Sequence, residues 1–164
     1  MRKSTMLTFC AALLLPAIMF PLNANGAPAP EQGGTADFKE AAGKEWILSE
    51  LRSGGKTVTM DRVKLAADNL GGVYTITFNE GQINGMGAPN RFFGPYTLGV
   101  GNTLSIGNVA STMMFAFKEP DGLKESEYFS YLSKVDRWNL RSGKLELYSR
   151  DSAGLEAIMF FVIR

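Results

Sequence analysis

QINGMGAPNRFFGPYTLGVGNTLSIGNVASTMMFA, residues 82–116, is the stretch whose reading decides the fold. It opens on a glycine-rich turn over 85–90, steps through the aromatics Phe92, Phe93 and Tyr96, and leaves through an apolar run over 110–116. Glycines along it let the backbone bend or approach a neighbour closely, as a curled sheet requires. Pro89 and Pro95 lack an N–H and belong at strand ends or bulges. Residues of these kinds build a fold centre. They do not by themselves make a reaction site.

The flanking sequence is mostly strand. Val73 to Asn79 alternates, with Tyr74, Ile76 and Phe78 on one face and Thr75 and Thr77 on the other. Asn79-Glu80-Gly81 then signals a hairpin, and residues 82–86 return as its partner. Residues 93–98 and 103–106 form the next pair. Upstream, 46–51 reads as a first strand, Ser53-Gly54-Gly55-Lys56 as a turn, and 58–65 as a second, less regular strand. One helix stands out: within 124–135, Tyr128, Tyr131, Leu132 and Val135 fall at helical spacing, and Asp121 is placed to cap it. Two final strands follow, around Leu145 and Leu147 and over 157–163; the last is apolar on both faces, as a central strand is. The expected class is α+β: one domain, a curved, mainly antiparallel, half-barrel-like sheet with one packed α-helix.

The N-terminus reads as a secretory signal. Arg2 and Lys3 precede an apolar run over 6–20, and small residues at Ala24, Asn25 and Gly26 place cleavage near Gly26. The expected organisation is a signal peptide over 1–26, a Pro/Gly/Ala-rich tether over 27–43, and the folded domain over 44–164. The location expected is periplasmic or secreted. Cys10 is the only cysteine, and it falls inside the signal. The mature chain keeps 15 basic and 16 acidic residues, a formal charge of −1. That charge carries no footprint for nucleic acid, and no apolar run suits a membrane span.

The chain has no histidine. Ser-His-Asp catalysis and histidine metal sites are therefore excluded, and thiol chemistry leaves with Cys10. No catalytic, cofactor-binding or metal-binding residue is assigned. Gly54-Gly55-Lys56-Thr57 ends like a phosphate-binding loop, but Glu50 stands where that loop needs glycine. Ser53 and Lys56 fit an S-x-x-K pattern without its partner motifs; both read as a solvated turn. Glu119, Asp121, Glu125 and Glu127 read as a solvated loop and helix start, which acidic residues suit. The run from Met113 to Phe117 reads as a packed core strand, or as the lining of an apolar ligand cavity.

The order of short motifs resembles the META/HslJ family of exported bacterial proteins, also found in some protozoa. The matching pieces are Trp46-x-Leu48, the run Gly85-Met86-Gly87-Ala88-Pro89-Asn90-Arg91-Phe92-Phe93-Gly94-Pro95-Tyr96, and Ala110-Ser111-Thr112-Met113-Met114. Glu125-x-x-Tyr128-Phe129-x-x-Leu132 and Gly143-x-Leu145-x-Leu147 complete the set, over residues 44–163. The family usually has cysteine where Pro89 stands, and often a second where Ala116 stands; both are absent together. The resemblance implies a single α+β domain without enzyme activity, in an envelope or secreted location, linked loosely to stress tolerance. Asn90, in the Gly/Pro-rich turn, and Tyr96, at a strand start, together with Gly94, Thr112 and Met113, are the candidate structural or binding centre. The expected role is a monomeric protein-interaction or stress-tolerance module with an unknown protein partner in the envelope. The alternative is a carrier of lipid or another apolar ligand in the curve of the sheet.

Overall fold

Trp46 and Leu48 alternate inward on β1 (Glu45–Ser53), the strand that organises the sheet. On one side β1 pairs antiparallel with β10 (Glu156–Ile163), Trp46 opposite Ile163. On the other side its first half pairs with β3 (Thr75–Asn79) and its second half with β2 (Lys56–Thr59). A shift of register between Leu48 and Glu50 divides the two halves. The remaining strands are β4 (Gln82–Met86), β5 (Arg91–Leu98), β6 (Leu104–Ile106), β7 (Ala110–Ser111), β8 (Arg137–Arg141) and β9 (Lys144–Arg150). The sheet runs β6-β5-β4-β3-β1-β10-β9-β8, with β7 pairing β5. The computed structural model describes residues 37–116 and 118–164; the signal-peptide reading, Cys10 and the start of the tether lie outside them.

The two ends of that order meet. Thr103 bridges Arg137, Trp138 N–H donates to Asn102 O at 2.9 Å, and Leu104 N–H donates to Asp136 O at 3.2 Å. The half-barrel expected from sequence is therefore a nearly closed, eight-stranded barrel-like sheet. Closure leaves fewer unpaired backbone groups at the ends of the order.

Side chains fill the interior. Phe38, Phe78 and Trp138 meet edge to face, with ring centroids 5.1 Å and 4.8 Å from Phe38. Leu48, Ile76, Ile83, Leu132, Leu147, Met159 and Phe161 are fully buried around them. Phe38 lies in a short 3-10 turn (Phe38–Glu40), and Trp46 Nε1–H donates to Ala41 O at 2.8 Å. Residues 37–43, read as the end of a tether, thus belong to the packed body.

Among the described residues two α-helices are present where sequence suggested one. The strand expected over 58–65 ends at Thr59, and α1 (Arg62–Ala67) follows. Asp61 caps α1, accepting from the N–H groups of Val63 and Lys64 at 3.1 and 3.0 Å. The second helix, α2 (Glu125–Leu132), packs on the sheet through buried Tyr128 and Leu132, with the Tyr128 ring against Phe92 of β5. Asp121 does not cap it: Lys124 is the N-cap residue, its N–H bound to Glu127 Oε2 at 2.9 Å, while Asp121 pairs with Lys64. Among the described residues no helix is long and apolar enough to cross a membrane.

Candidate functional site

Asn90 sits between the turn that ends β4 and the start of β5, and it is 5% exposed. A cis Ala88-Pro89 bond precedes it. Its main chain closes the turn: Gly87 N–H donates to Asn90 O at 2.6 Å. Its side chain reaches two segments that are distant in sequence. Nδ2 donates to Glu125 Oε2 at 2.6 Å and to Met114 O at 3.2 Å. Oδ1 accepts from Met114 N–H at 2.6 Å and from Thr112 Oγ1 at 2.8 Å. One amide thus uses both donors and both lone pairs, as a buried amide must to offset its desolvation.

Glu125 is the other half of this centre. Its Oε1 accepts the backbone N–H groups of Ala88 and Asn90 at 2.6 and 2.7 Å. Glu119 Oε1 accepts the Glu125 N–H at 3.0 Å, ordering the helix start from outside. The acidic cluster read as a solvated helix start therefore contributes Glu125 as a structural acceptor. The missed signal was the helix start itself, which places a carboxylate beside the backbone N–H groups of a proline turn. Gly87 lies against it: a Cβ there would fall 2.4 Å from Glu125 Oε1 and 2.8 Å from Phe129 Cζ.

The remaining candidates divide into two groups. Thr112 joins Asn90, since Arg91 N–H donates to Thr112 Oγ1 at 3.2 Å and Thr112 N–H donates to Arg91 O at 3.0 Å. Met113 follows it and is 99% exposed. Gly94 and Tyr96 lie further along β5, away from this lock. Gly94 is buried where a Cβ would meet Asn108 O at 2.9 Å. The half-buried Tyr96 ring packs on Phe78 and Phe38, with centroids at 5.2 and 5.6 Å. Both act as packing positions for the sheet.

The run from Met113 is neither core nor cavity wall. Met113, Met114 (61%) and Phe115 (84%) are exposed, as is Phe93 (59%) on the adjoining β5. Phe92 is the aromatic that enters the core, against Tyr128 and Phe129. Grooves open to solvent among the described residues include one of about 430 Å³ beside Ser53, Lys56 and Glu127, and one of about 480 Å³ over Asn84, Arg91 and Phe93.

Behind the lock stands Tyr74, at φ +57°, a conformation that bulky residues seldom adopt. Its hydroxyl donates to Leu123 O at 2.6 Å and its carbonyl accepts Leu48 N–H at 2.9 Å. Burial, then the carboxylates of Glu119, Glu125 and Glu127, pushes the Tyr74 phenol well above its usual range. Burial does the same to Tyr128. The half-buried Arg62 donates to the carbonyls of Val73 and Leu48; burial lowers its guanidinium to about 10, so it stays charged at neutral pH. Among the described residues no cluster of acidic, histidine or cysteine side chains has the makings of a metal site.

A nearly closed antiparallel barrel, filled by aromatics and locked to one helix through the Asn90–Glu125 pair, defines a small β-rich domain. The META domain family model matches residues 39–159, and the chain belongs to that family. A protein from Burkholderia xenovorans, whose structure was determined by NMR, has the same fold: TM-score 0.59 and 23% identity, over 87% of this chain and 96% of that one. A DUF4847 family protein from Bacteroides vulgatus aligns with a TM-score of 0.48 and 16% identity, over 75% of this chain and 94% of that one. No curated protein matches the chain.

Proposed function

We propose that this META domain protein is a non-catalytic, exported module of the cell envelope that engages a protein partner in stress tolerance. The observation that carries the reading is the exposed, uncharged run at Met113, Met114 and Phe115, which follows β7, where Ala110 lies opposite the exposed Phe93. Contiguous exposed apolar groups mark interaction sites. Here they are presented on a segment pinned by a buried amide rather than on a loose loop. Export is supported by the basic, apolar and small-residue order of residues 1–26. A non-catalytic role is supported by a chain without histidine whose one cysteine is Cys10.

The carrier reading loses its motive, since Phe92 fills the core and Met113 and Met114 face solvent. Photo-crosslinking tests the partner. A photoreactive residue at Met113, in cells, is expected to give a discrete protein adduct, whereas the same residue at Ser142 on the β8–β9 hairpin gives none. A lipid adduct alone, or no adduct at 113, overturns the reading. N-terminal sequencing of periplasmic protein tests export, with a chain starting near Ala27 expected.

A further inference from the structure

We infer that the outer edge of β7 is a strand-addition site for an uncharged, extended segment of a partner protein. This rests on the protein-interaction reading and specifies its chemistry. In the β5–β7 register, Ser111 lies opposite Phe92 and Ala110 opposite Phe93. Thr112 N–H donates to Arg91 O at 3.0 Å. That phase makes Ala110 and Thr112 the hydrogen-bonded positions facing β5, so the N–H and C=O of Ser111 point away from the sheet. Met113 continues the same phase. At Met114 no strand lies behind, and Asn90 takes its place: Oδ1 accepts the Met114 N–H and Nδ2 donates to its C=O. The buried amide thereby prolongs the ladder of hydrogen bonds as far as Met114.

Among the described residues, the main-chain groups of Ser111 and Met113 have no partner, and residues 110–115 are all exposed. Proteins usually defend such an edge with charge, proline or a bulge. No charged residue stands between Arg91 and Lys118, and no proline between Pro95 and Pro120. By contrast β2, which pairs only with β1, carries Lys56.

Donors and acceptors pointing away at two-residue spacing match another extended backbone, and main-chain bonds supply the affinity in strand addition. The uncharged flank selects an uncharged segment, and the Met113 side chain offers an adaptable apolar contact. A second copy of this chain fits less well. An edge of five residues spans about 17 Å, too little to bury the ~800 Å² per partner of a stable dimer.

The probe is an acetylated, amidated Thr-Val-Thr-Val-Thr-Val-Thr peptide, read by amide hydrogen exchange. Saturating peptide is expected to slow exchange at Ser111 and Met113 at least tenfold. Ser111→Pro removes an N–H that points away and leaves the bonds to β5 in place; it is expected to weaken binding at least tenfold with an unchanged melting temperature. Met113→Lys, at a fully exposed side chain, is expected to weaken binding without touching the fold. Unchanged exchange at both amides overturns the proposal, as does protection that grows with protein concentration in the absence of peptide, which identifies a second copy. If Ser111→Pro still gives the cellular adduct at position 113, the partner reading stands and strand addition falls.

Discussion

The carboxylate of Glu125 holds Asn90 twice: Oε1 takes its backbone N–H at 2.7 Å, and Oε2 takes its side-chain amide at 2.6 Å. The two residues stand 35 positions apart in the chain, and this pair fastens the β4–β5 turn to the start of α2.

Asn90→Ala removes both partners of the Met114 main chain and one of Glu125. A loss of about 1–3 kcal/mol is expected, the usual range for leaving buried polar groups unmet. Asn90→Asp keeps the Oδ1 contacts but sets a second carboxylate against Glu125. Its destabilisation at neutral pH is expected to ease as pH falls, because one proton between two close carboxylates restores a donor. Urea midpoints of both variants at pH 7 and pH 4.5 check this; two wild-type midpoints at pH 7 would show that the lock contributes nothing.

Gly87→Ala forces a Cβ against Glu125 Oε1 and Phe129. Overpacking of this kind costs about 1–3 kcal/mol. The same substitution in a Glu125→Ala background is expected to cost at least ~0.5 kcal/mol less, the coupling of groups in direct contact. Additive costs in denaturant unfolding would place the clash elsewhere.

Tyr148 donates to Glu146 Oε2 at 2.7 Å, and burial, then that hydrogen bond and the negative charge, pushes its phenol up to about 12. Tyr74 and Tyr128 are shifted the same way. The unfolded chain ionises its tyrosines near pH 10. The folded state therefore keeps more protons above that point, so the contribution of these tyrosines to stability is level below pH 10 and falls as pH rises from about 10 to 12. Tyr148→Phe is expected to make that fall shallower. Absorbance of phenolate against pH, with melting at each pH, measures both; a stability that rises above pH 10 would contradict the sign.

The two tryptophans differ in one atom's fate. Trp46 Nε1–H has Ala41 O at 2.8 Å, whereas Trp138 Nε1 is buried with no hydrogen-bond partner among the described residues. Trp46→Phe strands an acceptor as well as removing volume, while Trp138→Phe removes a donor whose burial was already unfavourable. Trp46→Phe is expected to cost about 1–2 kcal/mol more than Trp138→Phe. Equal costs in thermal unfolding would mean that ring volume alone decides.

The sheet was largely legible because alternation is local. Ile76 and Phe78 point inward as their pattern requires, and Glu80 and Gly81 adopt the positive φ that the hairpin signal demands. Helix α1 was hidden because six residues are too few to separate helical from strand spacing, and Val63 with Leu65 mimics alternation. Asp61 was the available cue. Strand β8 was hidden because arginines at both ends and Asn139 at its centre dilute a short pattern around Trp138. The Asn90 turn could be recognised, but not its partner, since nothing local ties Asn90 to Glu125. Exposure of Met113 and Met114 runs against residue type and depends on how Asn90 holds the segment to the edge of β5.

Arg164 and Glu45 stand side by side, N–H to O at 3.0 Å and guanidinium to carboxylate at 2.9 Å, where β10 ends and β1 begins. A load applied between these two residues runs across the β1–β10 ladder at its open end. Rungs then give way in sequence, from Trp46–Ile163 towards Ser53–Ala157, instead of all resisting together in shear. The strand pair at the heart of a nearly closed sheet is thus a zipper with its tab on the surface, and a pull on that tab meets only a single rung at a time.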